Sequence, residues 1–349
     1  MTRGRHTQSS IADPWSRDCT LGSGQWSRYG FKRAQVNLSA HCLMSSHRAL
    51  LLRTRSSRSC TMSSTNSSGF VSVSLAPEIQ LFYTLTSGLP LIPEKPVIVL
   101  SHSLSAATWL WDNFVEEFSA DYTILRYDIR FHGLSPLSPT ANFDYEAGHT
   151  IDDLASDLVK LLDHLGIEQA EAFIGLSIGG GIGVALASSH ANRFRHFVIV
   201  GTRANASPGD DKVWDDRIAL ARAQGVPALA RQSVDRWFNA QWRADNAALV
   251  ASIANKVGAQ SLQGYIASVA SLRTLDLWPH AAAIKEHGDG SKTLFVIGEE
   301  DAAPVIEETK GLAAQAGSKV VAVPDAGHIT HVQQPVAFSR LVRQVLDGQ

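Results

Sequence analysis

One serine, Ser177, stands where an apolar strand-like segment gives way to a small-residue helical one. The pentapeptide Gly175-Leu176-Ser177-Ile178-Gly179 follows the run Ala172–Leu176 and opens the stretch Gly179–Ala187. A serine on a sharp strand-to-helix turn presents its hydroxyl for attack on a carbonyl carbon, and glycines let the backbone pack closely around that turn. The alternative is a glycine-rich turn whose serine only caps the helix. The pattern favours a nucleophile.

A serine hydroxyl needs a base to take its proton and an acid to orient that base. Asp301 follows the apolar run Thr293–Gly298, and His328 follows the run Val320–Val323, in the chain order serine, acid, histidine. Residues that follow the carboxyl ends of parallel strands converge at one edge of a sheet. The sequence therefore predicts Ser177 as nucleophile, His328 as general base and Asp301 as the orienting acid.

Other titratable residues near these positions offer alternatives. Glu299 and Glu300 are the rival acids, and His331 is the rival base. Motif position favours the first choices, because the rivals are more typical of solvated or supporting residues. Asp128, after the apolar run Tyr122–Arg126, is predicted to be a structural carboxylate in a turn.

Acyl transfer through a serine also needs two backbone N–H groups directed at the carbonyl oxygen. We expect the first from Ile178, directly after the nucleophile. The second should come from the loop after the strand-like run Pro96–Ser101, where we assign it to Leu104 in His102-Ser103-Leu104-Ser105. His102 and Ser103 can also cap a following helix, and the two roles are compatible.

Apolar runs of strand length alternate with helical patterns from Val71 onward. Val71–Ala76 and Ile79–Thr86 predict an antiparallel hairpin, and the later runs predict buried strands of a parallel sheet. The clearest helix is Thr150–Leu165, whose leucines recur every three or four residues. This alternation predicts an α/β fold with a mostly parallel central sheet and helices on both faces.

One long segment, residues 204–289, contains helical patterns and four tryptophans but no convincing strand. We expect a helical lid insertion there, which would shape the pocket rather than carry the chemistry. Residues 70–203 and 290–349 then form the core of the fold.

The first 69 residues differ in composition from the rest. They hold nine Arg and one Lys against two Asp, together with all three cysteines, and show no sustained periodicity. They predict a disordered or targeting extension, for example mitochondrial, or translated upstream sequence with Met62 as the working start. A nucleic-acid-binding arm ranks last. No secretory signal or membrane-length apolar run is present, so we expect a cytoplasmic protein, with organelle targeting as the alternative.

The remainder of the chain is acidic, with 21 basic and 31 acidic residues and a balance of −10. That balance gives no electrostatic footprint for nucleic acid or an anionic membrane. Without cysteines, its chemistry must come from Ser, His and carboxylates, and nothing calls for a metal or cofactor. The expected partner is a small ester or lactone, and the oligomeric state stays open.

These residues together resemble the α/β-hydrolase superfamily, and within it the 3-oxoadipate enol-lactonase-like branch, over about four fifths of the chain. The matching segments are His102–Leu104, Trp111–Asp112, Tyr127–Ser135, Asp153–Ile167, Gly175–Gly180, Arg236–Phe238, Gly264–Tyr265, Gly298, Asp301, Pro304, His328 and Gln334–Pro335. Family members usually carry Gly at the positions of Ser105 and Phe131, and cysteines after the Gly-Tyr pair. The resemblance implies a serine hydrolase with a Ser-His-Asp triad, while the departures leave the substrate open.

An enol-lactone that bears a carboxylate needs a cation in the pocket. The candidates are Arg130, Arg236 and Arg273, each of which is more often a surface or ion-paired arginine, and Trp237 is a further candidate for contact with substrate. Two alternatives remain: a carboxylesterase or lactonase of neutral secondary metabolites, and a hydrolase-fold ligand-binding protein. Ser177 excludes the epoxide hydrolases and haloalkane dehalogenases of this fold, which need Asp there.

Overall fold

An eight-stranded sheet runs through the part of the chain that the computed structural model describes, residues 66–348. Its spatial order is β1-β2-β4-β3-β5-β6-β7-β8; β2 pairs antiparallel with β1 and β4, and every other neighbouring pair is parallel. The strands are β1 Ser67–Leu75, β2 Glu78–Leu85, β3 Val97–Ser101, β4 Thr123–Tyr127, β5 Ala170–Leu176, β6 Phe194–Val200, β7 Thr293–Gly298 and β8 Lys319–Val323.

The helices connect these strands and extend the chain between β6 and β7. They are α1 Asp112–Phe118, α2 Ile151–His164, α3 Ile178–Ser189, α4 Asp210–Gln224, α5 Val226–Trp237, α6 Ala240–Asp245, α7 Ala247–Gly258, α8 Leu262–Arg273, α9 Trp278–His287, α10 Ala303–Ala316, α11 Thr330–Gln333 and α12 Pro335–Leu346. None of these helices has both the length and the apolar composition needed to cross a bilayer.

The predicted strands and the opening hairpin are confirmed. β1 begins at Ser67 rather than Val71, and Ser67 to Gly69 pair with β2, so the last three residues of the predicted extension belong to the sheet. The rest of that prediction, on residues 1–65, lies outside the described residues.

The sheet has a hydrophobic core on each face. All five residues of β3 are buried, as the continuous apolar run predicts for a strand covered on both sides. Phe173 of β5 packs on the face that carries α2 and α3, whereas Ile174 packs on the face that carries α1 and α12. Adjacent residues of one strand therefore serve opposite cores.

Helix α2 matches the periodic leucine pattern that predicts it. Its leucines are buried, and Thr150 caps its N-terminus: the hydroxyl accepts from the Asp153 amide while the Asp153 carboxylate accepts from the Thr150 amide. Asp157 is the exception on the buried face, because its carboxylate pairs with the Arg130 guanidinium.

The segment between β6 and β7 is helical, as the sequence predicts. Helices α4 to α9 fill it, and its only strand-like contact in the described residues is an isolated bridge between Asn205 and Asp276. Ile218, Leu229 and Val269 form a small hydrophobic cluster within it. The insertion lies after the carboxyl end of β6, which brings it over the edge of the sheet where Ser177 lies.

Candidate active site

Ser177 lies between β5 and α3 in a strained backbone conformation. Its φ is +59° and its ψ is −115°, a backbone conformation that residues other than glycine rarely adopt. A side chain on Gly175 would place its Cβ 2.1 Å from the Gly179 carbonyl oxygen, and one on Gly179 would lie 2.6 Å from that of Ser101. The glycines on both sides of Ser177 are therefore required by close backbone packing, as the motif predicts.

His328 and Asp301 meet at the carboxyl ends of β7 and β8. The His328 Nδ1 lies 2.8 Å from Asp301 Oδ2, so the imidazole donates to the carboxylate. The other carboxylate oxygen, Oδ1, accepts from the Ala302 amide at 2.7 Å. The side chains are only 12% and 3% exposed respectively. The arrangement fixes the ring with its Nε2 as the free nitrogen, the atom that a general base needs.

The rival residues have other partners, although Glu300 lines the same cavity as Ser177 and His328. Glu299 and Glu300 are exposed, and Glu300 accepts a hydrogen bond from Asn239. His331 is buried in the core, stacked on Trp111 at 3.9 Å between ring centroids, with its Nε2 bonded to the Leu110 carbonyl oxygen at 3.0 Å. Only Asp301 among the three acids contacts His328.

The buried position of His331 leads to a prediction about stability. Burial lowers the pKa of His331 to about 4 from 6.5, so below pH 6.5 the unfolded chain binds a proton that the folded protein does not. This contribution to stability is present above pH 6.5 and is lost as the pH falls towards 4. Between pH 7 and pH 5, the unfolding free energy of wild type should fall by about 2 kcal/mol more than that of His331→Phe, which keeps an aromatic ring stacked on Trp111.

Urea unfolding at both pH values measures that difference. The other buried histidines contribute equally to both proteins and cancel in the comparison. An equal loss in variant and wild type would show that His331 is protonated normally in the folded state.

Leu104 and Ile178 are the two residues that the sequence predicts as amide donors. Both line the same cavity as Ser177 and His328. Ile178 is the first residue of α3, so its amide has no partner within the helix. Leu104 lies in a turn closed by a 3.1 Å bond from the Ala106 amide to the Ser103 carbonyl oxygen, and its own amide has no backbone partner in the described residues.

His102 holds this turn from behind. Its Nε2 accepts from the Ile129 amide at 3.1 Å, so its proton is on Nδ1 and is donated to the Ser103 carbonyl oxygen at 2.8 Å. Burial lowers the pKa of His102 to about 4, which keeps it neutral in this role. Asp128 accepts from the Thr108 and Leu134 amides, as predicted for a structural carboxylate.

A family model described as the α/β hydrolase fold matches residues 96–335, which include every residue of this arrangement. The chain belongs to the α/β-hydrolase fold family. Membership of this family supports hydrolase activity.

Individual relatives of this α/β-hydrolase support the same chemistry. It is 29% identical over 255 residues to 3-oxoadipate enol-lactonase 2 of Acinetobacter baylyi, covering 72% of this chain and 89% of that protein. It is 24% identical over 262 residues to the putative carbamate hydrolase RutD of Pseudomonas savastanoi pv. phaseolicola, covering 73% and 95%. The crystal structure of the enol-lactonase from Burkholderia xenovorans LB400 aligns with a TM-score of 0.66 at 31% identity, covering 77% and 97%.

The cavity of the α/β-hydrolase has a volume of about 400 Å³, within the range of small-molecule sites. One wall comes from the loops after the strands. The other comes from the insertion and carries two of the cavity's three arginines. The lining residues of the insertion are Asn205, Asp210, Val213, Trp214, Arg217, Ser233, Arg236, Trp237, Leu272 and Leu275. In residues 66–348, no three side chains of His, Cys, Asp or Glu come together to hold a metal ion.

Three arginines line the cavity and differ in their partners. Arg203 pairs with Glu308 and Asp210. Arg217 is 7% exposed and donates only to neutral groups, the Tyr265 hydroxyl at 2.9 Å and Ser233 Oγ at 3.3 Å. Arg236 has no hydrogen-bond or ion-pair partner in residues 66–348.

The surroundings of Arg236 disfavour its charge. The Arg236 side chain is exposed, yet desolvation by the protein atoms beside it, followed by repulsion from Arg217, lowers the pKa of Arg236 to about 10. Arg236 therefore stays charged at neutral pH; the Asp301 carboxylate partly offsets the lowering of its pKa but forms no ion pair with it. Arg217 and Arg236 thus place two neighbouring positive charges on the cavity wall.

Two of the predicted substrate-binding residues do not reach this site. Arg130 forms a buried two-point ion pair with Asp157, and Arg273 pairs with Asp211 and Asp215 on the surface of the insertion. Neither lines the cavity, so both assignments are corrected. Trp237 does line it, and its carbonyl oxygen accepts from the His328 amide at 2.9 Å.

Sequence reasoning missed Arg217 and Trp214. Trp214 lies one helical turn before Arg217 on α4, lines the cavity, and has an indole N–H without a partner in the described residues. Four acidic residues surround this pair in the sequence, which is typical of an exposed helix. The sequence signal for this pair was the spacing of three residues between Trp214 and Arg217, which places both on one side of a helix.

Proposed function

We propose that this chain hydrolyses a carboxylic ester or lactone through an acyl-enzyme on Ser177. The supporting observation is that Ser177, the His328–Asp301 pair and two unpartnered amide positions line one cavity. Ser177 Oγ attacks the carbonyl carbon while His328 Nε2 takes its proton. Asp301 stays ionised and stabilises the imidazolium.

The intermediate then collapses to the acyl-enzyme. The carbonyl oxygen carries the negative charge and accepts hydrogen bonds from the Ile178 and Leu104 amides. The bond to the leaving oxygen breaks, and His328 returns its proton to that oxygen. In a lactone, the leaving oxygen stays attached to the acyl chain.

Hydrolysis of the acyl-enzyme repeats the same steps with water. His328 takes a proton from a water molecule, whose oxygen attacks the acyl carbon. The bond to Ser177 Oγ breaks and His328 returns the proton to it. The product is a carboxylic acid, and no further reactant is consumed.

We propose a carboxylate-bearing lactone of the 3-oxoadipate enol-lactone type as the substrate. The Arg217 and Arg236 guanidinium groups carry this proposal, because they line the cavity and no carboxylate of the described residues forms an ion pair with either. A substrate carboxylate between them relieves their mutual repulsion and forms charge-assisted hydrogen bonds. The names of the relatives from Acinetobacter and Burkholderia support the same class.

The insertion is then the element that selects substrate, and we propose that it acts as a lid. Both unpaired arginines and the Trp214 indole come from α4 and α5, whereas the nucleophile, base and acid come from the ends of the strands. Chemistry and selection therefore lie on separate parts of the fold.

Replacing Arg236 by Gln tests the anion site. We expect kcat/KM on mono-p-nitrophenyl adipate and on the enol-lactone to fall about 100-fold, because a charge-assisted contact to the substrate carboxylate is lost. Activity on p-nitrophenyl hexanoate, which lacks that carboxylate, should change less than about threefold. Steady-state kinetics on the full chain measures all three.

Arg273→Gln is the matched control, since it removes an arginine whose partners lie outside the cavity, and it should leave both esters unaffected. Arg217→Gln should lower kcat/KM on the same substrates as Arg236→Gln. Because it also loses the hydrogen bonds to Tyr265 and Ser233, a melting curve should check that it is folded. Equal losses on charged and uncharged esters would refute carboxylate recognition. The enzyme would then be a carboxylesterase or lactonase of neutral compounds.

A further inference from the structure

The turn that holds Leu104 contains a second residue of interest, Ser105. The Ser103–Ala106 turn is closed by its 3.1 Å backbone bond, and Ser105, its third residue, has a φ of +64°. Type II turns require such a positive φ at this position and strongly favour glycine there. A serine in this conformation is strained, because its Cβ crowds the backbone.

The side chain of Ser105 has no hydrogen-bond partner in the described protein, although hydroxyls that are largely buried normally find one. Ser105 as a residue is 3% exposed, but its hydroxyl oxygen is not among the fully enclosed polar atoms, so it keeps some accessible surface on the cavity that Ser105 lines. Strained residues of this kind persist where they have a functional role.

Ser105 is also a wall residue of the active-site cavity. It lines the cavity together with Leu104, Ser177 and Ile178. Its backbone is fixed by the turn, and that turn is fixed in its place by His102. The turn therefore fixes the Cα–Cβ bond of Ser105, and rotation about χ1 remains to direct the hydroxyl at a bound oxygen.

We propose that the Ser105 hydroxyl donates a third hydrogen bond to the oxygen of the reacting carbonyl, beside the Ile178 and Leu104 amides. The inference rests on the proposed acyl transfer at Ser177. An oxyanion has three lone pairs, so two amide donors leave one to be met by a hydroxyl. The Ser105 proton stays on its own oxygen throughout, and no bond is made or broken at this residue.

Two substitutions separate the hydroxyl from the backbone strain. Ser105→Gly removes both, and Ser105→Ala removes the hydroxyl but keeps the strained φ. We expect each to lower kcat on p-nitrophenyl hexanoate by about tenfold or more while KM changes less than about twofold, because the bond strengthens in the transition state. The affinity of an alkyl boronic acid, which forms a tetrahedral adduct on serine, should weaken by a similar factor.

Thermal unfolding supplies the readout that a structural role would not share. We expect Ser105→Gly to melt about 2–4 °C above wild type, since glycine adopts the φ without strain, and Ser105→Ala to melt close to wild type. Lower activity in the more stable protein then points to a contact with the substrate. A purely structural Ser105 predicts the opposite, with Ser105→Gly as active as wild type or more so.

The outcomes are distinct. A similar loss of kcat in both variants supports the third donor. Unchanged kcat in either variant, with wild-type turnover normal, overturns the role of Ser105 and leaves the proposed function in place. Absence of both ester turnover and boronic acid binding in wild type overturns the proposed function, and the role of Ser105 with it.

Discussion

Replacing Ser177 by Ala is expected to lower kcat by about 10⁶-fold, the largest effect of any single substitution in this chain. Without the hydroxyl no acyl-enzyme forms, and only binding and the oxyanion donors remain to accelerate direct attack by water. Alanine carries the same strain at a φ of +59°, so the fold should be unchanged. Single-turnover kinetics on p-nitrophenyl hexanoate, with circular dichroism to check folding, measures this.

A covalent probe gives a second readout of the same assignment. A fluorophosphonate should label wild type on the peptide that contains Ser177 and leave Ser177→Ala unlabelled, as peptide mass spectrometry will show. Retention of more than about a thousandth of wild-type turnover in a folded Ser177→Ala protein would argue for another nucleophile.

The chain offers a matched control for the nucleophile in a second cluster of the same residue types. Ser188 Oγ lies 2.7 Å from His280 Nδ1, and His280 Nε2 lies 3.5 Å from Asp152 Oδ1. This Ser188 hydroxyl already donates to the Ala185 carbonyl oxygen and lies near the end of α3, away from the cavity. We expect Ser188→Ala to retain full activity. The strained turn and the cavity with its amide donors distinguish Ser177, not the serine-histidine-aspartate combination alone.

The sheet was predictable from the sequence because its signals are local. The inner strands of the parallel part are largely buried and form apolar runs, the edge strand β8 is apolar although mostly exposed, and α2 carries its own cap in Thr150 and Asp153. The insertion was predictable only as helical. Its helices face a cavity as well as a core, so Val213 of α4 is exposed and Arg217 is buried, the reverse of an ordinary amphipathic pattern.

The same distinction applies to the site. Ser177, His328 and Asp301 lie in short motifs at strand ends, where chain order and local sequence were sufficient to predict that they meet at one cavity. The cation partners depend on tertiary contacts: Asp157, which neutralises Arg130, lies 27 residues away from it, and the acids that neutralise Arg273 lie on a different helix. Sequence alone gives no measure of whether an arginine is already paired.

The interpretations of residues 1–69 stay predictions, apart from the three residues that join β1. A targeting segment and an upstream translated sequence that precedes Met62 have different consequences, since only the first directs the protein to an organelle. The expected cytoplasmic location depends on which is correct. N-terminal sequencing of the protein purified from its native source distinguishes them.

Asp301→Asn is expected to lower kcat by about 10⁴-fold through the proton on His328. Asp301 Oδ1 accepts from the Ala302 amide, so an asparagine should keep its oxygen there and turn its NH₂ group towards His328. An NH₂ group donates, which makes His328 Nδ1 the acceptor and moves the ring proton to Nε2. The nitrogen that should receive the Ser177 proton is then already protonated.

Glu300→Gln is the matched control, because it makes the same change of carboxylate to amide one residue away, on a side chain that contacts Asn239 and not His328. We expect Glu300→Gln to stay within about threefold of wild type. Comparable losses in both variants would indicate a general dependence on negative charge at the cavity. A large loss in Glu300→Gln alone would make Glu300 the acid. We predict a loss confined to Asp301→Asn, which would support the role of Asp301 in orienting the proton on His328.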